Sequence, residues 1–155
     1  MERLRYDDDT AFSLADDAAT LARIVRTATV AELRAKKFAE WTALEVMGHV
    51  ADMADVFAER VRRIAREDRP RLAAVDQDKV AAERRNNERD PMEFSKRVLA
   101  AHGEIVRILQ TVANRSRTGL HDEMGEVDAA HIAGYHARHS HEHLGELASA
   151  FPPAR

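Results

Sequence analysis

A chain of 155 residues with a formal charge of −3 and no cysteine fits one domain, residues 1–155, whose core needs no disulfide. The slightly acidic balance argues against a nucleic-acid binder, and the missing cysteine removes thiolate ligands and cysteine nucleophiles. No apolar run reaches the roughly 18 residues of a membrane span, and the start, MERLRYDDDT, lacks the apolar stretch of a secretory signal, so a cytoplasmic protein with no membrane partner is expected.

Aromatics make up only 5 % of the chain, while Ala, Leu, Glu and Arg are plentiful. That composition forms helices, and β-branched runs bounded by turn residues are missing, so strands are not expected. The first helix is predicted over about Asp9 to Thr29, with Phe12, Leu14, Leu21, Ile24 and Val25 on its apolar side. TATVAELRAKKFAEW then connects, with one short helical turn. Thr42 and Glu45 form a capping box that starts the second helix. Behind it Val46, Val50, Met53, Phe57, Val61 and Ile64 fall at spacings of 4, 3, 4, 4 and 3, a single helical stripe ending near Asp68, before Pro70.

A long excursion follows, with a short helix expected near Asp78 to Arg85. Asp90-Pro91-Met92-Glu93 is the next start, an N-cap followed by proline at the first helical position. This third helix carries Phe94, Val98, Ala101, Ile105, Ile108 and Leu109 and is expected to stop around Asn114. The stretch NRSRTGLHDEMGE reads as a turn-rich loop, and the fourth helix spans about Asp128 to Ala150, closed by Pro152 and Pro153. Four amphipathic helices give an all-α fold, a four-helix bundle, and bundle cores commonly build metal sites from facing side chains.

Eight histidines stand in the chain, six of them between His121 and His143, and HARHSHEHLGEL holds four. At about 100° per residue, His143 lies about 40° from His139, His136 about 60°, and His141 about 200°. His139 and His143 are therefore an i,i+4 pair able to present two imidazoles to one ion. They border the apolar arc of Ile132, Ala133, Ala137, Leu144, Leu147 and Ala148, whereas His141 faces solvent. A metal needs a third ligand. The candidate is His49, next to Val50 on the inward stripe of the second helix. Three imidazoles leave coordination positions open, as catalytic metal sites do. His102, among Ala100, Ala101 and Gly103, is expected to be partly exposed; His121 lies in the loop, and His131 sits where a helix N-terminus disfavours a cation.

With these residues located, EWTALEVMGHVADMADVFAERV, VDQDKVAAE and SRTGLHDEMGEVDAAHIAGYHARHSHEHLGEL together resemble the DinB-like (YfiT-type) superfamily, regarded as metal-dependent enzymes. The resemblance runs from about Leu14 to Leu147 and places Trp41, Thr42, Glu45 and His49 on the family's Trp-Ser/Thr segment and single helix-borne histidine. It puts the closing His-x-x-x-His pair at His139 and His143, the pair that spacing had selected. The resemblance implies a four-helix bundle that binds a divalent ion, often zinc or nickel, through three histidines, commonly as a homodimer. Some relatives transfer or isomerise substrates with a low-molecular-weight thiol. Glu142 and Glu146 depart from the pattern, standing where relatives often have His and Gln.

Two functions are consistent with these residues. One is a metal-dependent hydrolase or thiol S-transferase acting on a small molecule, with Asp52, about 60° from His49, as catalytic carboxylate. Arg60, three turns beyond His49 on nearly the same face, would hold an anionic substrate, or else pair with one of the many acids. The other is a non-catalytic helical protein that binds metal for stability or sensing, or serves dimerisation.

Overall fold

The computed structural model of the protein describes residues 2–154. Its four long helices are α1 (Asp8–Thr27), α3 (Ala43–Arg66), α5 (Pro91–Leu109) and α7 (Ala129–Ala150), with short helices α2 (Val30–Ala35), α4 (Gln77–Arg84) and α6 (Val112–Arg115) between them. The starts follow the chain's own signals. Thr42 accepts from the Glu45 amide while Glu45 bonds back to the Thr42 amide, and Asp90 accepts from the Met92 amide ahead of Pro91. These caps satisfy amides that a helix leaves unpaired in its first turn.

The helices are not arranged as sequential neighbours. α3 packs against α5 and α7, and α1 packs against the same two, so α1 and α3 lie diagonally opposite. Cross-helix bonds give the directions. Asp55 meets Arg97 and Arg62 meets Glu104, so α3 and α5 run parallel. Asp17 meets Ser140 and Arg23 bonds the Phe151 carbonyl, so α1 and α7 run parallel. His49 meets His139 while Phe57 stacks on Tyr135, so α3 and α7 are antiparallel. The bundle is up-down-down-up. A chain leaving the end of α3 must therefore travel back along the bundle before α5 can begin, which accounts for the long excursion after Arg66.

The connections between the long helices carry structure that the sequence does not predict. β1 (Lys37–Phe38) and β2 (Trp41–Thr42) form a small hairpin ahead of α3. β3 (Arg71–Leu72) pairs in parallel with β4 (Thr118–His121), which pairs antiparallel with β5 (Gly125–Asp128). The expectation of no strands is corrected here: each strand has only two to four residues, too few to show a period, and β3 and β4 meet across a long sequence separation. Arg117, just before β4, donates to the carbonyls of Ile64 and Glu67 and so closes the C-terminal end of α3. The third helix also stops earlier than expected, at Leu109, and Phe12 is 71 % exposed rather than on the core side of α1.

The first half of α3 is surrounded. From Ala43 to Ala54 every residue except Glu45 is buried, because α5 and α7 cover two sides while α2, α4 and a 3₁₀ turn at Asn86–Glu88 cover the others. Gly48 permits the 3₁₀ turn to close: a Cβ there would overlap the Asn86 side chain. Among the described residues no helix is long and apolar enough to cross a membrane.

Gly48→Ala should lower stability by about 1–3 kcal/mol, the usual consequence of overpacking a closed interface. Gly103→Ala in α5, where a Cβ meets nothing within 4 Å, should raise it by up to about 1 kcal/mol. Urea midpoints of the two variants should move in opposite directions from the parent.

Candidate metal centre

Three imidazoles meet where α3 crosses α7. Nε2 of His49 lies 3.4 Å from Nε2 of His139, and Nε2 of His143 lies 3.1 Å from the same atom. The ligand atoms of the three rings are all within 4.8 Å of one another. The rings stand nearly perpendicular to each other, at 83–89°. Each is placed by its helix: His49 by the buried stripe of α3, His139 and His143 by one turn of α7. Trp41, from β2, packs on the His49 ring with centroids 4.8 Å apart.

The arrangement passes a simple test for a shared cation. Zinc holds imidazole nitrogens at about 2.0–2.1 Å, so two nitrogens on one tetrahedral ion are separated by roughly 3.3 Å; the observed separations of 3.1 and 3.4 Å bracket this. Protonation favours the same reading. His49 is held down to a pKa of about 4, by burial first and then by His139 and His143, and His139 is lowered by burial and by His143. His49 and His139 are therefore held toward the neutral form, the state that binds a metal. Between the nitrogens themselves only a neutral N–H can bridge two lone pairs, whereas one cation satisfies all three.

The cluster is open on one side. His143 and Trp41 border a groove of about 690 Å³ that is also lined by Phe38, Val46 and the acidic residues Glu40, Asp78 and Glu146. Glu146 Oε1 lies 3.2 Å from Nδ1 of His143, off the hydrogen-bonding direction but close enough to steer that ring.

The sequence between residues 13 and 147 matches the DinB superfamily. The chain belongs to the DinB superfamily. No curated protein matches it. Among solved structures, YfiT from Bacillus subtilis, described as "a probable metal-dependent hydrolase with an unusual four-helix bundle topology", superposes with a TM-score of 0.81 at 19 % identity, covering 99 % of this chain and 94 % of that one. This likeness shows that the DinB-superfamily chain shares YfiT's fold.

The other candidate residues of this DinB-superfamily protein are not brought to the three rings. Asp52 is buried beside His49 on α3, but its carboxylate accepts from Arg97 at 2.7 Å and Asn86 at 3.0 Å and pairs with Arg84 at 3.3 Å. It fastens α5 and the return segment to α3. Arg60 lies further along α3 and bonds the Ala73 carbonyl at 2.7 Å. His141 exposes its ring, yet its Nδ1 and the Ser140 hydroxyl both bond the buried Asp17. His131 accepts from the Leu4 amide and holds the N-terminal segment on α7. His121 is not in a loop but on β4.

His102 corrects the expectation of partial exposure: it is 1 % exposed. Its Nδ1 lies 2.7 Å from the Leu14 carbonyl, which only accepts, so Nδ1 carries the proton. Nε2 of His102 then accepts from Nε2–H of His136, 2.9 Å away. His136 is fully buried and stacks on Phe57. The sequence did carry a signal. Val98, His102, Ile105 and Leu109 follow at spacings of 4, 3 and 4 on the buried stripe of α5, and small neighbours hid it.

These buried rings make stability depend on pH. His102, pushed by burial to a pKa of about 4, joins His49 in staying neutral while folded, and burial likewise holds His136 well below the usual value. The unfolded chain protonates all three near pH 6.5. It therefore binds more protons than the folded chain between these values, so metal-free stability is complete above about pH 6.5 and falls as the pH drops toward 4. For His102 the loss is on the order of 3 kcal/mol. Urea midpoints taken from pH 7.5 down to 4.5 should fall steadily; a flat profile would contradict the assigned protonation. Asp52→Ala, which leaves Arg97 paired with Asp55 and Glu93 but removes the buried acceptor of Asn86 and Arg97, should cost about 1–3 kcal/mol, read in the same urea assay.

Proposed function

We propose that the protein is a metal-dependent enzyme whose divalent ion is held by His49, His139 and His143. The reading rests on one observation: three imidazole nitrogens converge at ligand spacing while one flank of the cluster, at His143, borders a groove of small-molecule size. Structural ions are closed off by four protein ligands, whereas catalytic ions keep a position for water or substrate. A bound zinc or nickel ion would act as a Lewis acid, making a water or a thiol nucleophilic near neutral pH.

The chain's own residues define the rest. Trp41 packs on His49 at the edge of the groove, Glu146 steers His143, and the carboxylates of Glu40, Asp78 and Glu146 line the groove as acceptors for a proton released from the nucleophile. Phe38, Trp41 and Val46 offer the substrate an apolar wall. Without cysteine, the protein has no thiol nucleophile of its own. Hydrolysis would use water, and transfer would need a low-molecular-weight thiol as co-substrate. YfiT, with the same fold, is described as a probable metal-dependent hydrolase, and hydrolysis is the reading we favour. Asp52 supports the site from outside it, by fastening α5 and the return segment to α3.

Protein purified without a histidine tag should take up one zinc or nickel ion per chain. His49→Ala should weaken uptake more than about 100-fold, exceeding what an outer residue costs, and Glu146→Gln should weaken it about tenfold. His141→Ala should leave it unchanged. The loaded protein should cleave activated esters or amides, or transfer a thiol to an electrophile, and lose that activity in His49→Ala. Absence of uptake, or equal effects of His49→Ala and His141→Ala, overturns the ligand set. Unfolding on chelation would assign the ion a structural role instead, because a core that closes by itself keeps its fold and loses only the linkage stabilisation.

A further inference from the structure

A second cavity, of about 200 Å³, opens between α3, α7, β4 and the start of the return segment, and shares no lining residue with the groove at the three histidines. Arg60 lies on its wall, 11 residues beyond His49 and so about 16 Å further along α3. Arg60 is 8 % exposed, yet its one hydrogen bond among the described residues is to a neutral carbonyl, that of Ala73. Its guanidinium rests over the Phe57 ring, 5.0 Å from the centroid. The other inward arginines of α3 and α5 differ: Arg97 holds Asp52 and Asp55, and Arg62 holds Glu104. Among the described residues no carboxylate forms an ion pair with Arg60, and Glu59, its neighbour on the same helix, is exposed.

A guanidinium stays charged inside a protein and has five N–H donors. Burying it without an anion is unfavourable, and one carbonyl answers only a part of it. The cavity wall adds donors of the same kind. Nδ1 of His121 accepts from the amides of Glu123 and Met124, at 3.1 and 3.2 Å. In the neutral ring the proton is therefore on Nε2, and that N–H has no acceptor among the described residues. Tyr135 and Gln77 also line the cavity. The one carboxylate on the lining, Glu123, belongs to an exposed residue and forms no ion pair with Arg60.

We infer that this cavity is a binding site for a small oxyanion, the carboxylate or phosphate group of a small molecule, received by Arg60, His121 and Tyr135. The planar guanidinium fork suits either group. The site needs no metal, so it stands or falls separately from the three-histidine centre.

The test is calorimetric titration of the metal-free full chain, at low ionic strength, with inorganic phosphate and with succinate. At least one should bind with a Kd of about 1 mM or tighter; the tighter of the two names the head group. Arg60→Met should weaken binding at least tenfold, and Tyr135→Phe, which removes only a hydroxyl, about tenfold, as expected for a hydrogen bond to a charged group. Circular dichroism establishes that each variant is folded, and should Arg60→Met fail to fold, Tyr135→Phe and His121→Asn carry the test. No heat from either anion up to about 10 mM, or affinities unchanged in the folded variants, would overturn the proposal.

Discussion

Helix α3 is enclosed on nearly all sides along its first half, and every polar side chain it carries inward must be answered within the protein. Three such side chains follow one another along it, His49, Asp52 and Arg60, and each is answered differently. His49 meets two other imidazoles across α7. Asp52 meets the guanidiniums of Arg97 and Arg84 and the amide of Asn86. Arg60 meets a single carbonyl and an aromatic face. The middle case is closed and structural. The outer two leave binding capacity over: Arg60 borders a cavity, and the His49 cluster reaches an open groove through His143.

The packing that encloses α3 also decides protonation. Burial holds His49, His102 and His136 neutral, but with opposite outcomes. The His102–His136 pair uses its neutral form to complete a chain of hydrogen bonds ending on the Leu14 carbonyl. At His49, His139 and His143 the ring nitrogens instead gather within 4.8 Å of one another. Two clusters of identical chemistry thus divide into an internal strut and a candidate site, according to whether a backbone acceptor lies within reach.

Much of this was legible in the sequence. The capping boxes, the stripe from Val46 to Ile64 and the i,i+4 pair at His139 and His143 depend only on helical periodicity, and periodicity is local. His49 was legible because it fell on that stripe. His102 was missed although its stripe was present, because Ala100, Ala101 and Gly103 weaken the apolar signal on either side. The strands were missed because a pair such as Arg71 with Leu120 depends on a meeting across the chain. Asp52 could be placed on the right face but not assigned a partner: whether it turned to His49 or to an arginine was set by where α5 docks. For Arg60 the sequence allows either an anionic ligand or an acid as partner, and only the packed structure shows that among the described residues no acid pairs with it.

The parallel course of α3 and α5 has a consequence for how such a protein diversifies. A chain that must double back between two helices running the same way acquires a strap whose length is dictated by geometry rather than by core packing. Here that strap supplies Asp78 to one opening and Gln77 to the other, while α4 contributes no buried residue. Substitutions along it can reshape what enters either opening and leave the bundle that orients the imidazoles intact, so ligand preference and scaffold are free to change at different rates.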